Sequence, residues 1–194
     1  MNYLGHLALS GENEDVLFGN FIADAVKGNS YHNFNNSIQK GILLHRFIDH
    51  FTDNHPVYLK GKRRMYADLP KVSGILLDIL YDHILLKKWK DYFVKEPSEF
   101  IDSCYEILDA KIDLMPEKIS YMFYYMKKDN WLLNYQFEWG LYKSISGIEK
   151  RITPSIDLEA FKTILNENKT AYFSEFDEFF KDILNESASY LKRF

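Results

Sequence analysis

Hydrophobic positions recur at intervals of three and four along most of the chain, and no strand-like alternation between hairpin turns persists anywhere. Such a pattern predicts an all-α protein of about eight to ten helices. Prolines and glycines are few and fall mostly between the periodic segments. The first helix is expected over about 14–26, with Leu17, Phe21 and Asp24 in one row. A second, about 36–53, carries Ile38, Ile42, His45, Asp49 and Thr52 along one side. Pro56 opens a short basic helix to Tyr66, since proline is well suited to a first helical position. The fourth, about 72–93, is apolar all round between Ile75 and Leu86, the mark of a buried central helix.

Beyond Pro97 the pattern gives helices over about 98–114, 115–128 and 138–151, with a short one after Asp129. Two closing helices are expected, about 158–167 and 170–192. The last is heavily aromatic at Tyr172, Phe173, Phe176, Phe179 and Phe180, and reads as a packing helix, either core or a homo-oligomer interface.

A length of 194 residues suits a single domain. Residues 1–95 would carry the catalytic core, with 96–194 as supporting helices. No run approaches the roughly 18 apolar residues of a membrane span. The N-terminal segment lacks a basic region and has His6 inside its apolar run, unlike a signal peptide. One cysteine, Cys104, excludes an internal disulfide, so a soluble cytoplasmic protein is expected. A formal charge of −4 argues against a nucleic-acid binder. Positive charge does gather locally at Lys60, Lys62, Arg63 and Arg64, a solvated face or a seat for an acidic partner.

A few polar residues look out of place on apolar helices: His6, Asp24, His45, Asp49, Asp78, Asp82 and His83. His45 and Asp49 are four apart, as are Asp78 and Asp82, so each pair shares a helix face. Several buried carboxylates repel one another unless cations neutralise them. A mixed oxygen and imidazole set without thiolate favours Mn²⁺, Mg²⁺ or Fe²⁺. Such a site suits hydrolysis at phosphorus, with Arg46 as a bidentate phosphate clamp and a histidine donating a proton to the leaving alkoxide. The competing reading is a non-enzymatic helical binding module whose polar groups are satisfied structurally.

Several blocks carry a family resemblance: Met1-Asn2-Tyr3-Leu4 with His6, Gly19-Asn20-Phe21-Ile22-Ala23-Asp24, Leu44-His45-Arg46 with Ile48-Asp49, and Tyr81-Asp82-His83. Together they resemble the acyl carrier protein phosphodiesterase family, relatives of the HD-domain phosphohydrolases. The match is dense over about the first 90 residues and sparse beyond. It implies an HD-like helical core with a C-terminal helical extension, acting on holo acyl carrier protein to remove its 4′-phosphopantetheine arm. It further implies Mn²⁺ (or Mg²⁺ or Fe²⁺) held by Asp24, His45, Asp49, Asp78 and Asp82. Asp24, His45, Arg46 and His83 would be catalytic. Acyl carrier proteins are acidic, so Lys60, Lys62, Arg63 and Arg64 become the expected docking surface. HD relatives also suggest a nucleotide or other small phosphate ester as substrate. Two positions depart from the family pattern: Ala8 stands where a second histidine is usual, and Glu149-Lys150-Arg151 replaces a Ser-Arg-Arg.

Overall fold

The computed structural model describes residues 1–149 and 156–193. Their regular structure is helical throughout: α1 (Tyr3–Ala8), α2 (Glu14–Ile22), α3 (Asn36–Asn54), α4 (Pro56–Tyr66), α5 (Ser73–Lys87), α6 (Trp89–Tyr92), α7 (Pro97–Asp109), α8 (Glu117–Lys128), α9 (Trp131–Asn134), α10 (Glu138–Glu149) and α11 (Leu158–Leu191). Asparagines set the starts of α2 and α3, the helices that carry Asn20, His45 and Asp49. The Asn13 side chain accepts from the N–H groups of Asp15 and Val16, and that of Asn35 from Ile38, satisfying donors a helix start leaves open.

The all-α expectation holds, with differences at the joints. α1 has too few residues for a periodic signal and was not anticipated. The first long helix ends at Ile22 and tightens into a 3-10 turn, Ala23–Ala25, so Asp24 leaves the apolar row and is exposed. The predicted fourth helix breaks at Lys88, and the fifth gives way to a 3-10 turn over Ile112–Leu114. The two closing helices are one continuous α11 of 34 residues. Phe161, Ile164, Leu165, Tyr172, Phe176 and Phe179 hold one buried face across the polar stretch between 166 and 171. The aromatic run is thus intrachain core: Tyr172, Phe176, Phe179 and Phe180 are fully buried. Lys150 and Arg151 lie outside the described residues.

The described residues pack about one hydrophobic core. α5 runs through its centre, burying Leu76, Leu77, Ile79, Leu80, Ile84 and Leu85 to 1% exposure or less. Each such side chain contributes about 1.5–3 kcal/mol. α11 packs against α3, α4 and α5, and α10 packs against α5.

The closest helix pairing is α2 on α3, and two glycines permit it. A Cβ on Gly19 would sit 2.1 Å from the Ile38 carbonyl oxygen, and one on Gly41 would sit 2.1 Å from that of Val16. Backbones in direct contact bring Asn20, next to Gly19, within reach of His45, one turn beyond Gly41.

Candidate metal centre

The site is built on Asn20, which is fully buried. Its side-chain nitrogen donates to the His6 carbonyl at 2.8 Å and to the Ser10 hydroxyl at 2.9 Å. Its side-chain oxygen therefore faces the two imidazoles, 3.0 Å from His6 Nδ1 and 3.1 Å from His45 Nδ1. His45 Nδ1 also lies 2.9 Å from the Asn20 backbone carbonyl. Amide and carbonyl oxygens only accept, so both Nδ1 atoms carry a proton. The rings stack with centroids 4.0 Å apart, and both Nε2 atoms point into one cleft.

Carboxylates meet them there. Asp49 places Oδ1 3.2 Å from His6 Nε2 and Oδ2 3.2 Å from His45 Nε2. Asp24 Oδ1 lies 3.3 Å from His45 Nε2. A neutral Nε2 lone pair facing a carboxylate oxygen is repulsive, so this arrangement calls for a proton or a cation between them. Burial would lower the His45 pKa, but the bonds to Asp24 and Asp49 outweigh it and lift it to about 9. Burial, then the positive His45 beside it, pushes His6 down to about 4. The bond to His45 holds Asp24 below the usual carboxylate range. For Asp49, burial acts upward but the two histidines prevail, and its pKa is strongly lowered.

The same donors fit a metal ion. One ligand atom each from His6, His45 and Asp49 lie within 4.8 Å of one another. Adjacent ligands of an octahedral ion at about 2.2 Å stand about 3.1 Å apart, close to the spacings seen here. The Nδ1 bonds to Asn20 are the outer support that metal-bound histidines ordinarily have. The cleft holds about 310 Å³ and is lined within the first 78 residues, including Thr52, Asp53 and Asp78. Among the described residues, no lysine or arginine side chain lines it. The Thr52 hydroxyl is buried on its wall without a hydrogen-bond partner among the described residues.

A family model described as acyl carrier protein phosphodiesterase matches residues 1–183. The chain belongs to the acyl carrier protein phosphodiesterase family. A protein of that name from Pectobacterium atrosepticum is 32% identical over 136 residues, 70% of each chain. Another from Shigella boydii is 30% identical over 193 residues, covering 97% of this chain and 98% of that one. A third, from Photorhabdus laumondii, is 32% identical over 137 residues, 70% of this chain and 69% of that one. No solved structure gives a significant match.

For this member of the phosphodiesterase family, the structure gathers Asp24, His45 and Asp49, leaves Asp78 on the cleft wall with other partners, and takes Asp82, His83 and Arg46 elsewhere. Asp78 lines the cleft, but its Oδ1 accepts from the Met1 amino group and the Tyr58 hydroxyl, each at 2.8 Å. Asp82 is fully buried and accepts from the N–H groups of Leu4 and Gly5 at 2.9 and 3.1 Å. Burial raises its pKa to about 7 against those bonds and the amino terminus. Asp82 therefore fixes α1 against α5. His83 gives its Nδ1 to the Tyr135 carbonyl and does not line the cleft. Arg46 donates to the carbonyls of Val26 and Gly28 at 2.9 and 2.8 Å, and its guanidinium lies 5.2 Å from the Tyr31 ring centroid. It straps the loop after Asp24 to α3 and has no geometry for a phosphate in the cleft.

Two central residues were absent from the expected set. His6 stood among the polar residues out of place on apolar helices and beside the Met1–Leu4 block, but was given no ligand role. Asn20 stood in the Gly19–Asp24 block, where a buried amide on an apolar helix was the available signal.

Proposed function

We propose that this protein hydrolyses the phosphodiester that joins the 4′-phosphopantetheine arm to holo acyl carrier protein, leaving the apo form. Family membership supports the substrate. The observation that carries the chemistry is the convergence of His6 Nε2, His45 Nε2 and the Asp49 carboxylate on one point. These three, with Asp24 beside them, would hold Mn²⁺, Mg²⁺ or Fe²⁺, the metals suited to a thiolate-free set. When bound, the ion neutralises a phosphoryl oxygen and lowers the pKa of a bound water. An acidic cleft without lysine or arginine would otherwise repel the phosphodiester.

The remaining tasks fall to the chain's own groups. Asp24, the most exposed of the set, accepts a proton from the attacking water. The new bond joins water oxygen to phosphorus, the serine–phosphorus ester bond breaks, and the proton passes on to the serine alkoxide. The Thr52 hydroxyl, unpartnered on the wall, donates to a phosphoryl oxygen. Asn20 holds both imidazoles in the tautomer that presents Nε2.

Docking draws on less of the basic run than its length suggests. Arg64 forms two hydrogen bonds to Glu175, at 2.8 and 2.6 Å, and Lys60 pairs with the same carboxylate at 3.0 Å. Lys62 and Arg63 make no ion pair among the described residues and are the available cations for an acidic carrier protein. Among the described residues, no helix is long and apolar enough to cross a membrane. The buried free Cys104 suits the reducing cytoplasm, where we place the reaction.

Mixing metal-stripped protein with holo carrier protein, with and without Mn²⁺, and weighing the carrier tests the reading. The expected result is metal-dependent loss of the arm. Turnover of small phosphodiesters with holo carrier protein untouched would assign the site to a nucleotide or similar ester instead.

A further inference from the structure

The cleft does not end at the metal-binding residues. Asn2, Tyr3 and Asp24 line it and also line a second cavity of about 350 Å³ that opens beside it. This volume falls within the range of about 300–1,000 Å³ typical of small-ligand sites. Its other walls come from the half of the chain that the proposed hydrolysis does not use: Met122 of α8, Trp131 and Asn134 of α9, and α10.

The lining has a definite chemical character. Met122, Trp131 and Ile148 supply apolar, half-buried surface. Two primary amides interrupt it. Asn2 uses its nitrogen on the Tyr135 hydroxyl at 2.9 Å, and Asn134 uses its nitrogen on the Asp129 carbonyl at 2.7 Å. Neither side-chain oxygen has a donor among the described residues, so two acceptors stand open beside the apolar surface. The charged pair Asp129–Lys143, 3.5 Å apart, is satisfied internally. A ligand matched to this chamber is uncharged along its length, largely aliphatic, and carries amide N–H donors.

We propose that this cavity is the subsite for the organic arm of the substrate. It would take the neutral, amide-bearing chain that leaves with the phosphate, while the phosphodiester lies in the metal cleft. The shared wall at Asn2, Tyr3 and Asp24 is the passage between them. This rests on the phosphodiesterase reading and adds to it the residues that recognise the arm. Apolar contact with Met122, Trp131 and Ile148 removes hydrocarbon from water, and the amide oxygens of Asn2 and Asn134 accept from the arm's N–H groups. An ester lacking those groups would leave both acceptors unpaired in the filled cavity.

Gly147 offers a way to fill the chamber without disturbing the fold. It lies within α10, lines the cavity, and a Cβ built on it meets no atom within 4 Å. Replacing a mid-helix glycine also favours the helix. Ser144, three residues earlier and on the same wall, donates to the Gly140 carbonyl of its own helix and also interacts with the Tyr135 hydroxyl. The experiment compares wild type with Gly147→Leu and Ser144→Leu in three measurements: kcat and KM on holo acyl carrier protein, Mn²⁺ affinity, and calorimetric binding of free 4′-phosphopantetheine.

The expected outcome is at least a tenfold loss of kcat/KM in both variants, mainly through KM. The same variants should bind phosphopantetheine at least tenfold more weakly and hold Mn²⁺ as wild type does. Full phosphopantetheine binding and full kcat/KM in both variants would overturn the subsite while leaving the proposed function intact. Should wild type fail to convert holo carrier protein, that function falls, and phosphopantetheine binding alone decides the cavity. Binding lost in both variants upholds the subsite; no binding to wild type removes it.

Discussion

Replacing Asn20 by alanine probes the device that aims the site. Four hydrogen bonds end on this side chain, to His6 Nδ1, His45 Nδ1, the His6 carbonyl and the Ser10 hydroxyl. Their loss is unequal. His45 Nδ1 keeps the Asn20 backbone carbonyl, and the His6 carbonyl keeps the Ser10 hydroxyl. His6 Nδ1 alone is left without an acceptor in a buried position. One orphaned donor costs about 1–3 kcal/mol, and the small cavity brings the expected loss of stability to about 2–4 kcal/mol. The sharper consequence is for metal binding. With no acceptor at Nδ1 the His6 ring can rotate and Nε2 leaves the shared point. Removing such outer support typically weakens metal binding about 10–100-fold, or about 1.4–2.7 kcal/mol. Calorimetric Mn²⁺ titration of the metal-stripped variant measures this, and urea unfolding measures stability. Mn²⁺ affinity equal to wild type, alongside the loss of stability, would refute the reasoning, since Asn20 would then be a packing residue only.

Three further outcomes follow from the same geometry. His45, raised from 6.5 to about 9, stabilises the metal-free fold below pH 6.5, and this contribution is lost as pH rises toward 9. A cation must displace that proton, so Mn²⁺ affinity should climb about tenfold per pH unit over this window. His6, at about 4, is already neutral there and releases nothing; an affinity flat with pH in calorimetry contradicts the protonated His45. Gly41→Ala forces α2 from α3 and should cost about 1–3 kcal/mol by urea unfolding, with weaker Mn²⁺ binding because Asn20 and His45 part. Wild-type Mn²⁺ affinity in that variant would show that the glycine contact does not set the site. Arg64→Ala leaves Glu175 with Lys60 alone and should cost about 1–3 kcal/mol while KM for holo carrier protein changes less than about twofold. A large rise in KM would return Arg64 to the docking surface.

The sequence disclosed α3 almost residue for residue because its period is long, Asn35 caps it and Pro56 follows it. His45 and Asp49 were legible for the same reason: a four-residue step on a long helix fixes a shared face. Asp78 and Asp82 share a face too, but spacing along one helix does not say which neighbour answers it. Here the Met1 amino group and the backbone of α1 do. Arg46 adjoins His45 in sequence yet points a helix-step away, toward carbonyls of a loop that no periodicity describes. His6 sits on a six-residue helix whose place against α2 and α5 is a tertiary fact. α11 was read as two helices because Asn166, Asn168 and Thr170 resemble a turn, whereas the buried face continues through them.

The central claim is that a cation at His6, His45 and Asp49 drives removal of the arm from the carrier protein. Its most direct test is the intact mass of holo acyl carrier protein after incubation with wild type and His6→Ala, each stripped of metal and then supplied with Mn²⁺. Wild type with Mn²⁺ should yield the apo mass, while metal-stripped wild type and His6→Ala with Mn²⁺ should leave the holo mass unchanged. Conversion by His6→Ala at the wild-type rate, or by wild type without any divalent ion, would contradict the account.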